Sequence, residues 1–181
     1  LEEEIQTRDF GRIAAQTAKQ VVMQRIREAE RGVIYEEYVE KENEVLTAIV
    51  QRVEKGNVFV ELGRTDGLLA ANETIPGETY ENSSRIKVYV LEVRKDNKGP
   101  QVLVSRTHPG LVKRLFELEV PEIQNGVVQV KSIAREAGFR TKVAVHSLDP
   151  QVDAVGACVG QRGTRVERIV NELHNEKIDI I

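Results

Sequence analysis

The stretch that decides the fold is GACVGQRGTRVERIV, Gly156 to Val170. Three glycines fall within eight residues, and an arginine-studded apolar run follows. Glycines so placed suit a loop that cradles phosphate. Two nucleotide motifs fail on spacing. A P-loop needs G-x-x-x-x-G-K-[ST], but the sixth position from Gly156 is Gln161 and no lysine follows. A dinucleotide fingerprint needs G-x-G-x-x-G after a strand, whereas Gly156, Gly160 and Gly163 follow a predicted helical turn. A nucleic-acid backbone fits better. The Gly160-Gln161-Arg162-Gly163 loop has no Cβ at its ends to hold a sugar-phosphate strand away. The next helix starts at the loop and turns its free N–H groups and positive end toward phosphate. Gln161 and Arg162 project from the tip as donors, and Arg165 and Arg168 lie three residues apart on one helix face. A KH module clamps four nucleotides with a GxxG loop; the same glycines also suit a helix-turn-helix corner with a solvated arginine face, and the order of the surrounding elements decides between the two.

The segments around this loop read in the order helix, strand, strand, helix, GxxG, helix, strand. GLVKRLFELEV is a helix stopped before Pro121, VVQVKSIARE and FRTKVAVHS are strands, and AVGACV is a short helix. TRVERIVNEL carries an apolar stripe of Val166, Ile169, Val170 and Leu173, and KIDII is a closing strand. The expected unit is an αββααβ KH domain of bacterial type over residues 108–181.

Upstream, residues 43–107 contain five short β-branched runs separated by turn-rich connections. They predict a five-stranded barrel of the oligonucleotide-binding type. Further upstream, Phe10, Ile13, Thr17, Val21 and Ile26 recur at helical spacing over 9–31, with Asp9 as the expected N-cap. The pattern extends toward Tyr35 and Tyr38 across a weak point at Gly32, about 1 kcal/mol poorer than Ala. A lone helix of this length cannot bury its stripe by itself. The Glu-rich YEEYVEKENE reads as a solvated helix end or connector. The fold expected is multidomain α+β, with a helical connector over 1–42 ahead of the barrel.

Composition supports a water-soluble chain: 40% apolar and 30% charged residues, with no run long and apolar enough to span a membrane. Net charge is −3, and the acidic excess sits in residues 1–42, with 7 basic and 10 acidic groups; the other two segments are balanced. A nucleic-acid site must therefore be a local patch. The chain opens on Leu1 with no charged-then-apolar leader, so a piece of a longer cytoplasmic protein is expected. Cys158 alone forms no disulfide and reads as a small buried hydrophobe. His108, His146 and His174 share no metal-ligand spacing, so no metal, cofactor or catalytic constellation is expected.

Taken together, GRIAAQTAKQVVMQRIREAER, LFELEVPEI, DAVGACVGQRGTRV and NELHNEKIDI resemble the NusA family of bacterial transcription termination/antitermination factors over nearly the whole chain. The resemblance implies the tail of a polymerase-binding N-terminal domain, an S1 domain and a first KH domain. It implies contact with single-stranded nascent RNA, with RNA polymerase and with other antitermination factors, by a monomer that is not an enzyme. Gln161 stands where the family often has Met, Ala154 where Pro is common, and His174-Asn175 where Gly-Gly is common. NVFVELG resembles the S1 signature, which makes Phe59 a candidate for base stacking. Lys87 and Tyr89, on one strand face, are secondary candidates, and Arg64 and Arg106 are further cations that could touch phosphate. Ala70 replaces the histidine that many S1 domains carry after the GLL turn, which implies weak binding there. Two other readings stand beside this one: an accessory S1/KH region of an RNA-processing enzyme, and a protein-interaction scaffold on the polymerase.

Overall fold

The computed structural model describes residues 2–181, with side chains described from residue 11. Helix α1 runs Glu2–Val39, starting well ahead of Asp9 and continuing through Tyr35 and Tyr38 as the extended pattern predicts. Asp9 is therefore an interior helical residue and not an N-cap; the side chains of Asp9 and Phe10 lie outside the described residues. Gly32 does not break the helix, because its cost is small against the turns on either side. From residue 11 to residue 30 every described side chain is exposed, including Ile13 and Ile26 of the predicted stripe.

The last turns of α1 behave differently. Ile34, Tyr35, Tyr38 and Val39 share one face and pack on the barrel. Tyr38 is 2% exposed; its hydroxyl donates to the Leu62 carbonyl at 2.9 Å and accepts from the Arg64 N–H at 3.1 Å. The Glu42 carboxylate accepts from the Val93 N–H at 3.0 Å. YEEYVEKENE is thus a docking segment, where charge count alone suggests a solvated connector. Its acids line the rim of a contact whose centre is one tyrosine.

The barrel strands are β1 Val45–Glu54, β2 Asn57–Glu61, β3 Asp66–Leu69, β4 Arg85–Asp96 and β5 Gly99–Ser105. Lys55 and Gly56 make the two-residue β1–β2 turn, both at positive φ (52° and 81°), which matches the right-handed twist of the hairpin. The ladders run β1-β2-β3-β5-β4, and β4 returns to pair with β1. Only β3–β5 is parallel. Register shifts at Val50/Arg52 and Val90/Glu92 let β1 and β4 bend enough to serve two neighbours each. Alternation sends Ala48, Val50, Val58, Val60, Val88, Val90, Val102 and Val104 inside.

The C-terminal unit contains α2 Pro109–Glu119, a four-residue α3 Pro121–Gln124, β6 Val128–Glu136, β7 Arg140–Ser147, α4 Ala154–Val159, α5 Thr164–Glu172 and β8 Lys177–Ile180. Apart from α3, this is the predicted order. Pro121 ends α2 by denying the next N–H and immediately starts α3 at its first position. The sheet order is β6-β7-β8, with β8 parallel to the central β7. Leu111, Leu115, Phe116, Val128, Val143, Cys158, Ile169 and Leu173 form the core between sheet and helices. Burial beside Glu122 pushes the Cys158 thiol up to about 11. His174 and Asn175 both sit at positive φ (60° and 64°) between α5 and β8, a backbone that favours glycine.

The two units share a packed junction. Tyr89 of β4 belongs to the C-terminal core, and its ring stacks on His108 at a centroid distance of 4.5 Å. Arg106, 1% exposed, donates to Glu78 Oε1 (2.7 Å), Lys87 O (2.8 Å), Glu172 O (3.0 Å) and Glu172 Oε1 (3.2 Å). It is a buried strut, not a surface cation for phosphate. Nearby, Arg135 and Glu176 form a second buried pair. Glu176 also accepts from Thr141 Oγ1 (2.7 Å) and the Gly138 N–H (2.7 Å), and Arg135 donates to His108 O (2.9 Å). Burial lowers the Arg135 pKa, and the Glu176 carboxylate opposes the shift.

Candidate nucleic-acid interface

The GxxG loop is a bend between α4 and α5 made from one turn of 3-10 helix, Gln161–Gly163. Gly160 has φ 77° with ψ 179°, and Gly163 lies in the left-handed region at φ 73°. A Cβ on Gly160 would stand 2.7 Å from Arg165 Cγ, so glycine there serves both backbone conformation and packing. Gln161 and Arg162 are exposed at the tip, and Arg162 is itself left-handed at φ 57°. An open depression of about 490 Å³ beside the loop is lined by Glu122, Gly156, Gly160, Gln161, Thr164 and Arg165.

The two helical arginines take different roles. Arg165 is half-buried and donates to the Ala157 carbonyl (2.7 Å) and to Glu122 (2.9 Å), tying the loop to α4 and α3. It shapes the cradle from below. Arg168 keeps its side chain 72% exposed, with a 3.3 Å contact to Glu119 that solvent screens. Arg162 has no acidic partner within salt-bridge distance among the described residues. The loop's available positive charge therefore centres on Arg162, with Arg168 behind it on α5.

On the barrel, Phe59 is half-buried on the outer face while Val58 and Val60 point inward, as alternation predicts. The Arg52 guanidinium lies 4.4 Å from the Phe59 ring centroid. Phe59, Leu68, Lys98, Gln101 and two acids, Asp66 and Asp96, line a shallow depression of about 240 Å³. Arg52, paired across the ladder with Phe59, went unnoticed in the sequence because the β1 bulge breaks simple alternation there. Lys87 is half-buried; its Nζ donates to Thr47 Oγ1 at 2.6 Å and its N–H donates to Glu172. Tyr89 is 7% exposed, stacked on His108 and hydrogen-bonded to Asn43 (2.9 Å). Its ring offers no open face to a base. Arg64 pairs with Glu37 at 2.8 Å.

The structure thus gathers Gly160, Gln161, Arg162 and Gly163 at one exposed loop and puts Phe59 on a separate outer face. It leaves Lys87 and Tyr89 at the interdomain junction. Three family models match in succession: the NusA N-terminal domain over 1–32, the S1 RNA binding domain over 40–105, and the NusA-like first KH domain over 106–181. The chain belongs to the NusA family. It is 59% identical over 181 residues to the transcription termination/antitermination protein NusA of Bacillus subtilis (strain 168), covering all of this chain and 49% of that protein. It is 58% identical over 181 residues to the protein of that name from Halalkalibacterium halodurans, covering all of this chain and 47% of the relative. With the Thermus thermophilus protein of the same name, identity is 50% over 178 residues, 98% of this chain and 46% of the relative. The chain spans about half the length of these curated relatives.

Proposed function

We propose that this chain is the RNA-holding region of a transcription factor that acts on termination and antitermination, and that it grips single-stranded nascent RNA at the GxxG loop. The observation that carries the reading is the exposed tip, Gln161 and Arg162, between two glycines at positive φ and ahead of α5. That arrangement suits a phosphate: backbone N–H groups at a helix start, one cation, and no Cβ at the loop ends. Gly160, Gly163 and Arg165 shape the loop; Gln161, Arg162 and Arg168 contact the strand. Phe59 with Arg52 provides a second, weaker contact on the barrel, where a base stacks on the ring. Tyr89 and Lys87 have no part in it, since the junction occupies them. RNA polymerase and other antitermination factors are the protein partners, the chain acts as a monomer in the cytoplasm, and it performs no chemistry on the RNA. Family membership supports these last points.

The test is fluorescence anisotropy with a labelled single-stranded RNA of mixed sequence at low salt. The parent is compared with the double variant Gln161→Asp/Arg162→Asp, its fold checked by circular dichroism. Two negative charges at the tip should weaken binding roughly tenfold or more. Equal binding by a folded variant would place the RNA site elsewhere.

A further inference from the structure

The sheet of the C-terminal unit has helices on one face only. Its other face is set by the strand registers. Thr141 and Val143 of β7 are buried under the helices, so Arg140, Lys142, Ala144 and His146 point the other way. Across the ladders Arg140 faces Lys177 and Lys142 faces Asp179 on β8, while Ala134 and Ser132 of β6 lie opposite Lys142 and Ala144. Lys131, at the β6 bulge, is exposed and donates to Gln129 at 2.7 Å, opposite His146.

This face therefore carries Lys131, Arg140, Lys142 and Lys177 around a low floor of Ser132, Ala134 and Ala144. Its acids are Glu136 and Asp179, and Asp179 is already paired with Arg140. The Asp179 carboxyl is held below its ordinary pKa, first by the hydrogen bond from Arg140 and further by the charges of Arg140, Lys142 and Lys177, so all three cations converge on one acid. In a chain of net charge −3 that concentration is notable. Arg140 and Lys142 are two residues apart on a strand, about 6.6 Å, close to the length of one extended nucleotide. In the turn just before β7, next to Arg140, Phe139 is 62% exposed, and its carbonyl accepts from the Lys177 N–H at 3.1 Å.

We propose that the helix-free face of this sheet, with Lys142 and Lys177 at its centre, Arg140 and Lys131 beside them and Phe139 at its end, is a second contact surface for the backbone of single-stranded RNA. It lies on the opposite side of the sheet from the helices that carry the GxxG loop, and it does not depend on that loop. Charge complementarity selects a polyanion. An exposed aromatic in the adjoining turn, Phe139, favours a nucleic acid over an acidic polypeptide, because a base that reaches it can stack.

The measurement is the salt dependence of anisotropy for a labelled 20-nucleotide single-stranded RNA. It compares the parent, Lys142→Gln/Lys177→Gln, and a control, Lys19→Gln/Arg25→Gln, that removes the same charge from α1. Each pair is made in the unaltered chain and in the Gln161→Asp/Arg162→Asp background. The sheet variant should bind roughly fivefold more weakly or worse at low salt. Its log-affinity slope against log salt should be shallower by about 1.4, the contribution of two phosphate contacts on a single strand. The control should match the parent, and the sheet effect should persist in the loop-variant background. An unchanged slope and affinity in the sheet variant overturns the proposal, as does an equal loss in the control. Displacement of the RNA by polyglutamate as readily as by unlabelled RNA overturns the assignment to nucleic acid. A loop variant that binds like the parent would count against the GxxG reading alone.

Discussion

Replacing Arg106 by Ala should loosen the junction between barrel and KH unit, and the size of the effect follows from its partners. The guanidinium makes two contacts to carboxylates and two to backbone carbonyls, all from a position 1% exposed. Glu78 has a side chain only 6% exposed, so truncation of Arg106 leaves a buried carboxylate without its cation. Removing one partner of a buried pair costs about 3–5 kcal/mol. Glu172 adds little to that figure, because its side chain is 31% exposed and water replaces the lost charge. The expectation for Arg106→Ala is a loss of about 3–5 kcal/mol, a large part of a typical domain's stability.

The pair itself need not be stabilising against an apolar replacement. Glu78 Oε2 and Arg106 Nε are buried without hydrogen-bond partners among the described residues, so the network does not repay all of its desolvation. Arg106→Met/Glu78→Met should therefore recover most of the loss. Urea unfolding followed by far-ultraviolet circular dichroism supplies the free energies of the parent, both single variants and the double. A loss below about 1 kcal/mol for Arg106→Ala, or a double variant no more stable than the singles, would refute the reasoning that burial of an uncompensated carboxylate sets the cost.

Tyr38→Phe removes a hydroxyl that donates to Leu62 O and accepts from the Arg64 N–H; the loss should be about 1–2 kcal/mol in the same unfolding assay. Hydrogen exchange should then show faster opening in the last turns of α1, with the KH core unchanged. Cys158 should resist alkylation in the native state: with its pKa at about 11, roughly one thiol in a thousand is ionised at pH 8, and the sulfur is buried. Mass spectrometry after iodoacetamide treatment should find it modified only when denaturant is present.

The sequence discloses the modules far better than their joints. Strand positions such as Val58 and Val60, the stripe of Ile169 and Leu173, and the GxxG loop are local patterns, each readable within about ten residues and each found where the pattern puts it. The junction residues are not local. Arg106 meets Glu172, sixty-six positions away, and Tyr38 meets Leu62 across the chain. In sequence, Arg106 resembles any arginine after a strand, and Tyr38 sits inside a Glu-rich tract whose charge hides it. Tyr89 misleads for the same reason: an aromatic on an outer strand face suits base stacking until another domain covers that face.

This difference bears on how the proposed RNA site would work. The loop contributes only Arg162 as a cation without an acidic partner within salt-bridge distance among the described residues, and Arg165 is committed to holding the loop's shape. A single phosphate contact gives weak binding, so grip on a strand must come from several contacts held in fixed relation. The buried Arg106 strut and the Tyr89–His108 stack supply that fixed relation. They spare the complex the cost of ordering two tethered units each time RNA arrives. If so, Arg106→Ala should weaken binding to an RNA long enough to touch both Phe59 and Gln161. It should leave binding to a four-nucleotide RNA, which reaches only the loop, nearly unchanged. Equal weakening for both lengths would mean that the strut supports the KH fold itself and not the alignment of two sites.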